Sequence, residues 1–333
     1  MAVWLSAVLF IIGFAVIIKG GDFFVSAAVW FAEVTGLPKL LIGATIVSLA
    51  TMLPEFFVSV LAVSGGAYDF GISNAMGSII CNTGLILSLS LIAAPFIVEN
   101  KIFYTKICLM LLSLFCLYIL LADSALSLWE CIPFFLILAY FIYINVKFVA
   151  SNGFRRPDMP AGKKKERTRK NIAKHLFFFL LGAAGIVVGA RLLVDNGIRI
   201  AHALNVPESI ISITLVAFGT ALPELVTTLS AIVKKETSMG IGNVLGANIL
   251  NLTLLIGSCT LVSGGRMQIS SEYFKTLGRI LPRSLYIDIP FTALLFMILL
   301  LPPLLCRNKL FKLQGILMLV LYMVFILFLI FNV

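Results

Sequence analysis

Charge is what this chain has least of. Only 12% of its 333 residues are Asp, Glu, Lys or Arg, against 61% hydrophobic, and mean hydropathy is +1.10. So little charge cannot solvate a water-soluble core of this size, which excludes a single soluble domain and leaves no room for a soluble catalytic one. Histidine is nearly absent, with His175 and His202 alone, and Cys81, Cys108, Cys116, Cys131, Cys259 and Cys306 show no paired metal-ligand spacing. A zinc or copper centre is thereby excluded, and the cysteines are expected as free thiols packed among helices. The first 18 residues lack a basic n-region, and the apolar run continues through Lys19 to about Val34, so the first segment is expected to remain as a transmembrane helix.

What is present is hydrophobic sequence in lengths that suit a bilayer, where each span needs about 20 mostly apolar residues. The predicted spans are 2–34, 38–64, 71–97, 103–122 and 127–149, then 172–203, 207–233, 240–264, 284–305 and 310–332. The expected fold is all-α and integral to the membrane, with ten transmembrane helices in two inverted five-helix repeats, residues 1–150 and 172–333, around a basic linker, 151–171. The linker holds Arg155, Arg156, Lys163, Lys164, Lys165, Arg167, Arg169 and Lys170, with Lys174 just beyond it. Positive-inside bias makes it cytoplasmic, and an odd number of spans on each side then puts both termini outside. Lys39, Lys101, Lys106, Lys147, Lys234, Lys235, Arg307, Lys309 and Lys312 all fall near ends predicted to be cytoplasmic. Concentrated in this way, the 25 basic residues point to a lipid bilayer and not to nucleic acid.

A shift of 169 residues lays the second half on the first. Pro38, Thr45, Val47, Thr51, Leu53, Pro54 and Glu55 meet Pro207, Thr214, Val216, Thr220, Leu222, Pro223 and Glu224 without a gap, and the register runs on through Asn74/Asn243, Gly77/Gly246 and Asn82/Asn251. Sixteen identities fall in the 53 positions from Pro38 to Ser90. A five-helix unit repeated once enters the membrane from opposite sides, as in many secondary transporters, so the duplicated motifs are expected near the midplane.

The duplicated motif carries the chemistry. Glu55 lies 17 residues into the second predicted span and Glu224 at the same depth of the seventh. A carboxylate at that depth costs about 2.5 kcal/mol or more, so it should face a protein cavity with a partner. Pro54 and Pro223 each remove a backbone N–H and displace the carbonyl four residues back, at Ala50 and Gly219. Carbonyls freed there, with the Thr51 and Thr220 hydroxyls, make oxygen ligands beside a carboxylate, the set a hard cation requires. Ser78 and Asn82 share a helix face, and Asn82 and Asn251 are expected to line the cavity. Asn74 and Asn243 suit an interhelical hydrogen bond as well as a ligand. The small pairs Gly77/Ser78 and Gly246/Ala247 are expected to allow close helix approach. Calcium or sodium fits this oxygen set better than a soft metal.

In these residues the chain resembles the cation/calcium antiporter superfamily, and within it sodium/calcium exchangers of prokaryotic type. Their paired motifs read Gly-Thr-Ser-x-Pro-Glu and Gly-Asn-x-x-Gly-Ser-Asn, matched here at Thr51, Pro54, Glu55, Asn74, Gly77, Ser78 and Asn82, and at Gly219, Thr220, Pro223, Glu224, Asn243, Gly246, Asn248 and Asn251. The resemblance implies alternating access, a calcium ion between Glu55 and Glu224 with help from Thr51 and Thr220, and sodium on the same carboxylates and nearby oxygens. It extends the ligand set to Ser48, Ala217, Ser78, Asn82 and Asn251. It also implies an inner (plasma) membrane protein of prokaryotic type, with no cofactor beyond the transported ions, functional as a monomer. Three expected serines are replaced, by Met52, Ala221 and Ala247, and position 251 is Asn where some relatives carry Asp. Calcium ligands are therefore retained and sodium ligands thinned, which predicts altered sodium coupling or a proton/calcium antiporter. Asp22 aligns with Arg191 on the paired long helices, where an ion pair competes with each charge reaching its own interface.

Two other classes remain. A cation channel could use the same oxygens but would pass current without a counter-ion. An intramembrane enzyme using Glu55 and Glu224 as acid and base lacks a nucleophile or metal set to accompany them.

Overall fold

The computed structural model describes residues 3–94, 96–98, 102–152, 168–203, 221–268, 273–276, 279–305 and 309–332. Among them are nine helices long and apolar enough to cross a membrane, and a shorter apolar one. In chain order they are α1 Val3–Thr35, α2 Lys39–Ser64, α3 Phe70–Ala93, α4 Ile102–Leu120 and α5 Cys131–Asn152, then α6 Arg169–Ala203, α7 Leu222–Val233, α8 Thr237–Val262, α9 Ser284–Leu305 and α10 Lys312–Asn332. The bounds lie within a few residues of the expected ones, except that the first part of the seventh span, 207–220, lies outside the described residues. The third span stops at Ala93, short of the expected 97, because Ala94 precedes Pro95 and is held extended (φ −146°, ψ 105°). Among the described residues, strands occur only between the helices: Phe96–Ile97 pairs with Lys309–Leu310, Ala125–Leu126 with Met267–Gln268, and Tyr273–Thr276 with Arg279–Pro282.

Among the described residues four of the helices contain a π turn, at Gly43–Val47, Asn82–Leu87, Asn251–Leu255 and Ser284–Asp288. A π turn leaves carbonyls without their usual donor, and here hydroxyls take over. Ser88 donates to the Gly84 and Leu85 carbonyls at 2.6 and 2.8 Å, and Thr253 to Ile249 at 2.6 Å.

The chain divides into two compact units, residues 1–51 with 144–243 and residues 52–143 with 244–333. Each unit takes helices from both halves of the sequence.

In the first unit α1 and α6 run antiparallel along their length. A Cβ on Gly20 would lie 2.8 Å from the Ile186 nitrogen and 2.9 Å from the Gly182 oxygen, and one on Gly189 would lie 2.7 Å from the Ile17 nitrogen and 2.9 Å from the Gly13 oxygen. Only glycine permits backbones this close. The contact of Gly13 with Gly189 maps onto that of Gly182 with Gly20 under the 169-residue shift. Phe24 stacks on Phe179 at 4.4 Å, within an apolar cluster that includes Ile17, Ile186, Leu193, Leu222 and Met239. Asp22 pairs with Lys234 at the end of α7, and Lys39 with Glu236 at 2.6 Å. Among the described ion pairs Asp22 is therefore joined to Lys234 and not to its repeat-aligned Arg191.

In the second unit α10 packs on α3. The Tyr322 ring lies where a Cβ on Gly84 would come within 2.9 Å, and Phe291 stacks on Phe325 at 4.4 Å. Pro302 deprives the Ile298 carbonyl of its helical donor, and Gln314 supplies one at 2.6 Å. Among the described residues the close approach expected at Gly77 is not found: this residue is exposed, and a Cβ there would meet nothing within 4 Å. Lys106, which its sequence position assigns to a solvated helix end, is fully buried, with Phe141 the ring below its ammonium at 6.0 Å.

Candidate functional site

α3 and α8 are the most enclosed spans, with 78% and 83% of their central windows buried, against 44% or less for the others. They carry the asparagine motifs, while α2 and α7 carry the carboxylates.

In the first unit, Ser48, Thr51, Glu224 and Asn243 are all buried. α7 begins at Leu222, so Pro223 lies in its first turn, where a missing N–H breaks no helical bond, and Glu224 follows in the same turn. The positive end of the helix dipole thus faces a carboxylate. Among the described residues neither Glu224 carboxylate oxygen receives a hydrogen bond of normal geometry, and its own backbone N–H and the Thr51 hydroxyl are the donors that face them. Thr51 donates to the Ser48 carbonyl at 3.2 Å and approaches Asn243 Oδ1 at 3.4 Å, while Ser48 donates to the Thr45 carbonyl at 3.2 Å. Thr220 and Ala217 lie outside the described residues.

Pro54 behaves differently from Pro223. It sits inside continuous α-helix from Ser48 to Ser64, and the irregular backbone ends about two turns earlier, at the Gly43–Val47 π turn. The opening expected at Ala50 is thus limited to the single donor that Pro54 removes.

In the second unit, Glu55, Ser78, Asn82 and Asn251 are buried, each at most 3% exposed. Asn251 Nδ2 donates to Glu55 Oε1 at 3.4 Å. Among the described residues Ser78 Oγ, both polar atoms of Asn82 and Asn251 Oδ1 have no hydrogen-bond partner. Asn82 and Asn251 each open the π turn of their own helix. Met52 and Ala247, where serines were expected, are fully buried, as is Ala221 of the first unit at 2% exposure.

Asn74 and Asn243 are engaged in helix pairing. Asn74 Nδ2 donates to Ser59 at 2.8 Å within the second unit, and Asn243 Nδ2 to Thr228 at 3.4 Å within the first. Ser59 and Thr228 are themselves 169 positions apart. Sequence reasoning did not single out these two hydroxyls, nor Thr83, which accepts from Asn248 Nδ2 at 2.8 Å, nor Asp288, buried at the head of α9 with Arg283 at 3.3 Å. The spacing of Arg283 and Asp288 across one π turn was the available signal for the last. Among the described residues no three His, Cys, Asp or Glu side chains gather as a metal cluster, so any cation here would rest mainly on neutral oxygens with isolated carboxylates.

Comparison with known proteins gives a consistent picture. A family profile described as sodium/calcium exchanger protein matches residues 5–147 and 174–331. An uncharacterized membrane protein of Methanocaldococcus jannaschii is 31% identical over 315 residues, covering 95% of each chain. The sodium/calcium exchanger MaX1 of Methanosarcina acetivorans is 30% identical over 283 residues, covering 74% of this chain and 80% of the relative. Among solved structures, the sodium-calcium exchanger NCX_Mj superposes with a TM-score of 0.79 at 28% identity, covering 97% of this chain and 98% of the other. The fold is accordingly that of an α-helical integral membrane protein.

Proposed function

We propose, from the premise that this chain belongs to the sodium/calcium exchanger protein family, that it is a secondary active antiporter exchanging calcium for sodium by alternating access. The observation that carries the reading is the burial of Glu55 and Glu224, 3% and 1% exposed, at positions 169 apart in two apolar helices. Carboxylates are kept at such depth for a cation. In this reading Glu55 and Glu224 supply the charge for calcium. Thr51, Thr220, Ser48, Ala217, Ser78, Asn82 and Asn251 supply neutral oxygens, an all-oxygen set suited to a hard cation. Ten helices form two inverted repeats with the basic linker cytoplasmic and both termini outside. The cross-matched glycine contacts of α1 and α6, and the equivalent bonds Asn74–Ser59 and Asn243–Thr228, support the repeat.

Met52, Ala221 and Ala247, buried and apolar, favour one second reading, calcium exchange coupled to protons. The test is calcium uptake into proteoliposomes under imposed sodium or proton gradients. Sodium-driven uptake, lost in Glu55→Gln and Glu224→Gln, supports the first reading, and proton-driven uptake the second. Uptake that needs no counter-ion gradient would show a channel and contradict both.

A further inference from the structure

Within the unit formed by residues 1–51 and 144–243, the first turns of α2 and α8 cross at closer range than side chains permit. A Cβ on Gly43 would fall on the Met239 carbonyl and 3.0 Å from the Asn243 nitrogen, and one on Gly242 would fall on the Leu40 carbonyl. Glycine at both positions lets the two backbones meet. Leu40, Leu41, Ile42, Ala44 and Met239 are buried around the crossing. Where both helices start, Lys39 Nζ meets Glu236 Oε1 at 2.6 Å, the side chains being 36% and 15% exposed. Lys234, two residues before Glu236, is engaged by Asp22, so among the described ion pairs Glu236 answers to Lys39 alone. Deeper in, Asn243 Oδ1 accepts from Thr51 at 3.4 Å. The seven steps from Glu236 to Asn243, about 10 Å of helical rise, therefore separate the ion pair from the candidate site, and closed backbone fills the interval.

We propose that the Lys39–Glu236 ion pair is a latch: it holds α2 against α8 and keeps Thr51 and Glu224 shut off from the side that the proposed orientation makes cytoplasmic. This deepens the antiport reading above and rests on it, by naming what resists opening on that side. An ion leaves past this crossing when the backbones at Gly43 and Gly242 part, and parting them draws Lys39 away from Glu236. An interaction made in the closed state and lost in the open one biases the balance between them by its own strength. The device is one-sided. Under the 169-residue shift, Lys39, Glu236, Gly43 and Gly242 fall on Glu208, Ala67, Ser212 and Ser73, which offer neither opposite charges nor a pair of glycines. The carboxylates are duplicated and the latch is not, so the two access states of a symmetric motif are held unequally.

The test is the rate at which N-ethylmaleimide labels Met239→Cys in the purified full-length protein, read by mass spectrometry on the peptide that carries it, apart from the native cysteines. Leu40→Cys is the reporter should Met239→Cys not fold. Glu236→Gln and Lys39→Gln are each expected to speed labelling about threefold or more, and both together no further. The exchanged pair, Lys39→Glu with Glu236→Lys, is expected to return the rate toward its starting value. Cys259, wholly buried in the other unit, serves as the control and keeps its rate. Unchanged labelling at position 239 in the neutralised variants, or an equal rise at Cys259, overturns the latch. A second arm tests the closure itself. Lys39→Cys with Glu236→Cys, bridged by a short reducible bifunctional thiol reagent, is expected to lose most calcium uptake into proteoliposomes and to regain it with reductant, while wild type treated alike keeps its uptake. Undiminished uptake by the bridged protein overturns the latch and leaves the antiport reading standing. A wild type that takes up no calcium under any imposed ion gradient overturns that reading and the latch with it.

Discussion

A lysine at position 106 illustrates how much of a side chain's role depends on what lies around it. Its charge and its place four residues into α4 suggest a head group at a membrane edge, yet it is fully enclosed, and among the described residues its ammonium has no hydrogen-bond acceptor. Methionine has a similar length and no charge to desolvate. Lys106→Met is therefore expected to stabilise the protein by about 1–3 kcal/mol, read as a higher melting temperature. A lower one would show that the ammonium holds a partner of functional weight. Other residues were easier to read. Glu55 and Pro54 stand out because each is costly inside an apolar span, and a costly residue needs a reason. Asn248 and Thr83 carry no such mark, since an amide and a hydroxyl occur in helices for many reasons. Only the 2.8 Å bond between them gives them a place, joining α8 to α3. Asn74 could be read either way until Ser59 appeared as its partner.

At the scale of helices, most spans were legible because bilayer thickness fixes their length, and the third ended early where Pro95 intervened. The prolines of the motif were legible as residues but not as structure. Pro54 lies within a continuous helix and Pro223 in the first turn of a new one, although both stand in the same local sequence. The antiparallel contact of α1 and α6 depends on glycine. Gly182→Val would drive a side chain into the backbone at Gly20 and Phe24, so it is expected to cost several kcal/mol, about 3 or more, and to remove most folded protein from size-exclusion profiles. Folding at wild-type yield would mean the two helices have room to part. The Asp22–Lys234 pair joins α1 to the end of α7, and its side chains are 50% and 26% exposed. Such a pair is worth about 0.2–1 kcal/mol. A double-mutant cycle of Asp22→Asn and Lys234→Gln is expected to show coupling of that size, while Asp22→Asn with Arg191→Gln is expected to be additive. The reverse would restore the pairing that the repeat alignment suggested.

For the whole molecule, the repeat was plain in the sequence because proline, glutamate and asparagine recur in register where such residues are few. The compact units were not. Each gathers helices from both repeats, and which helices pack together depends on side-chain fit, as of Tyr322 over Gly84 or Phe24 on Phe179, which a one-dimensional alignment does not contain. The two carboxylates divide in the same way, Glu224 with one unit and Glu55 with the other. Calcium binding that needs both would thus depend on the intact chain. The most direct measurement is calcium binding by calorimetry on the purified full-length protein, with Glu55→Gln and Glu224→Gln alongside. The account predicts that each single variant weakens calcium binding by about a hundredfold or more, since the proposed function makes each carboxylate a charged ligand for calcium. Undiminished calcium binding in either variant would contradict it.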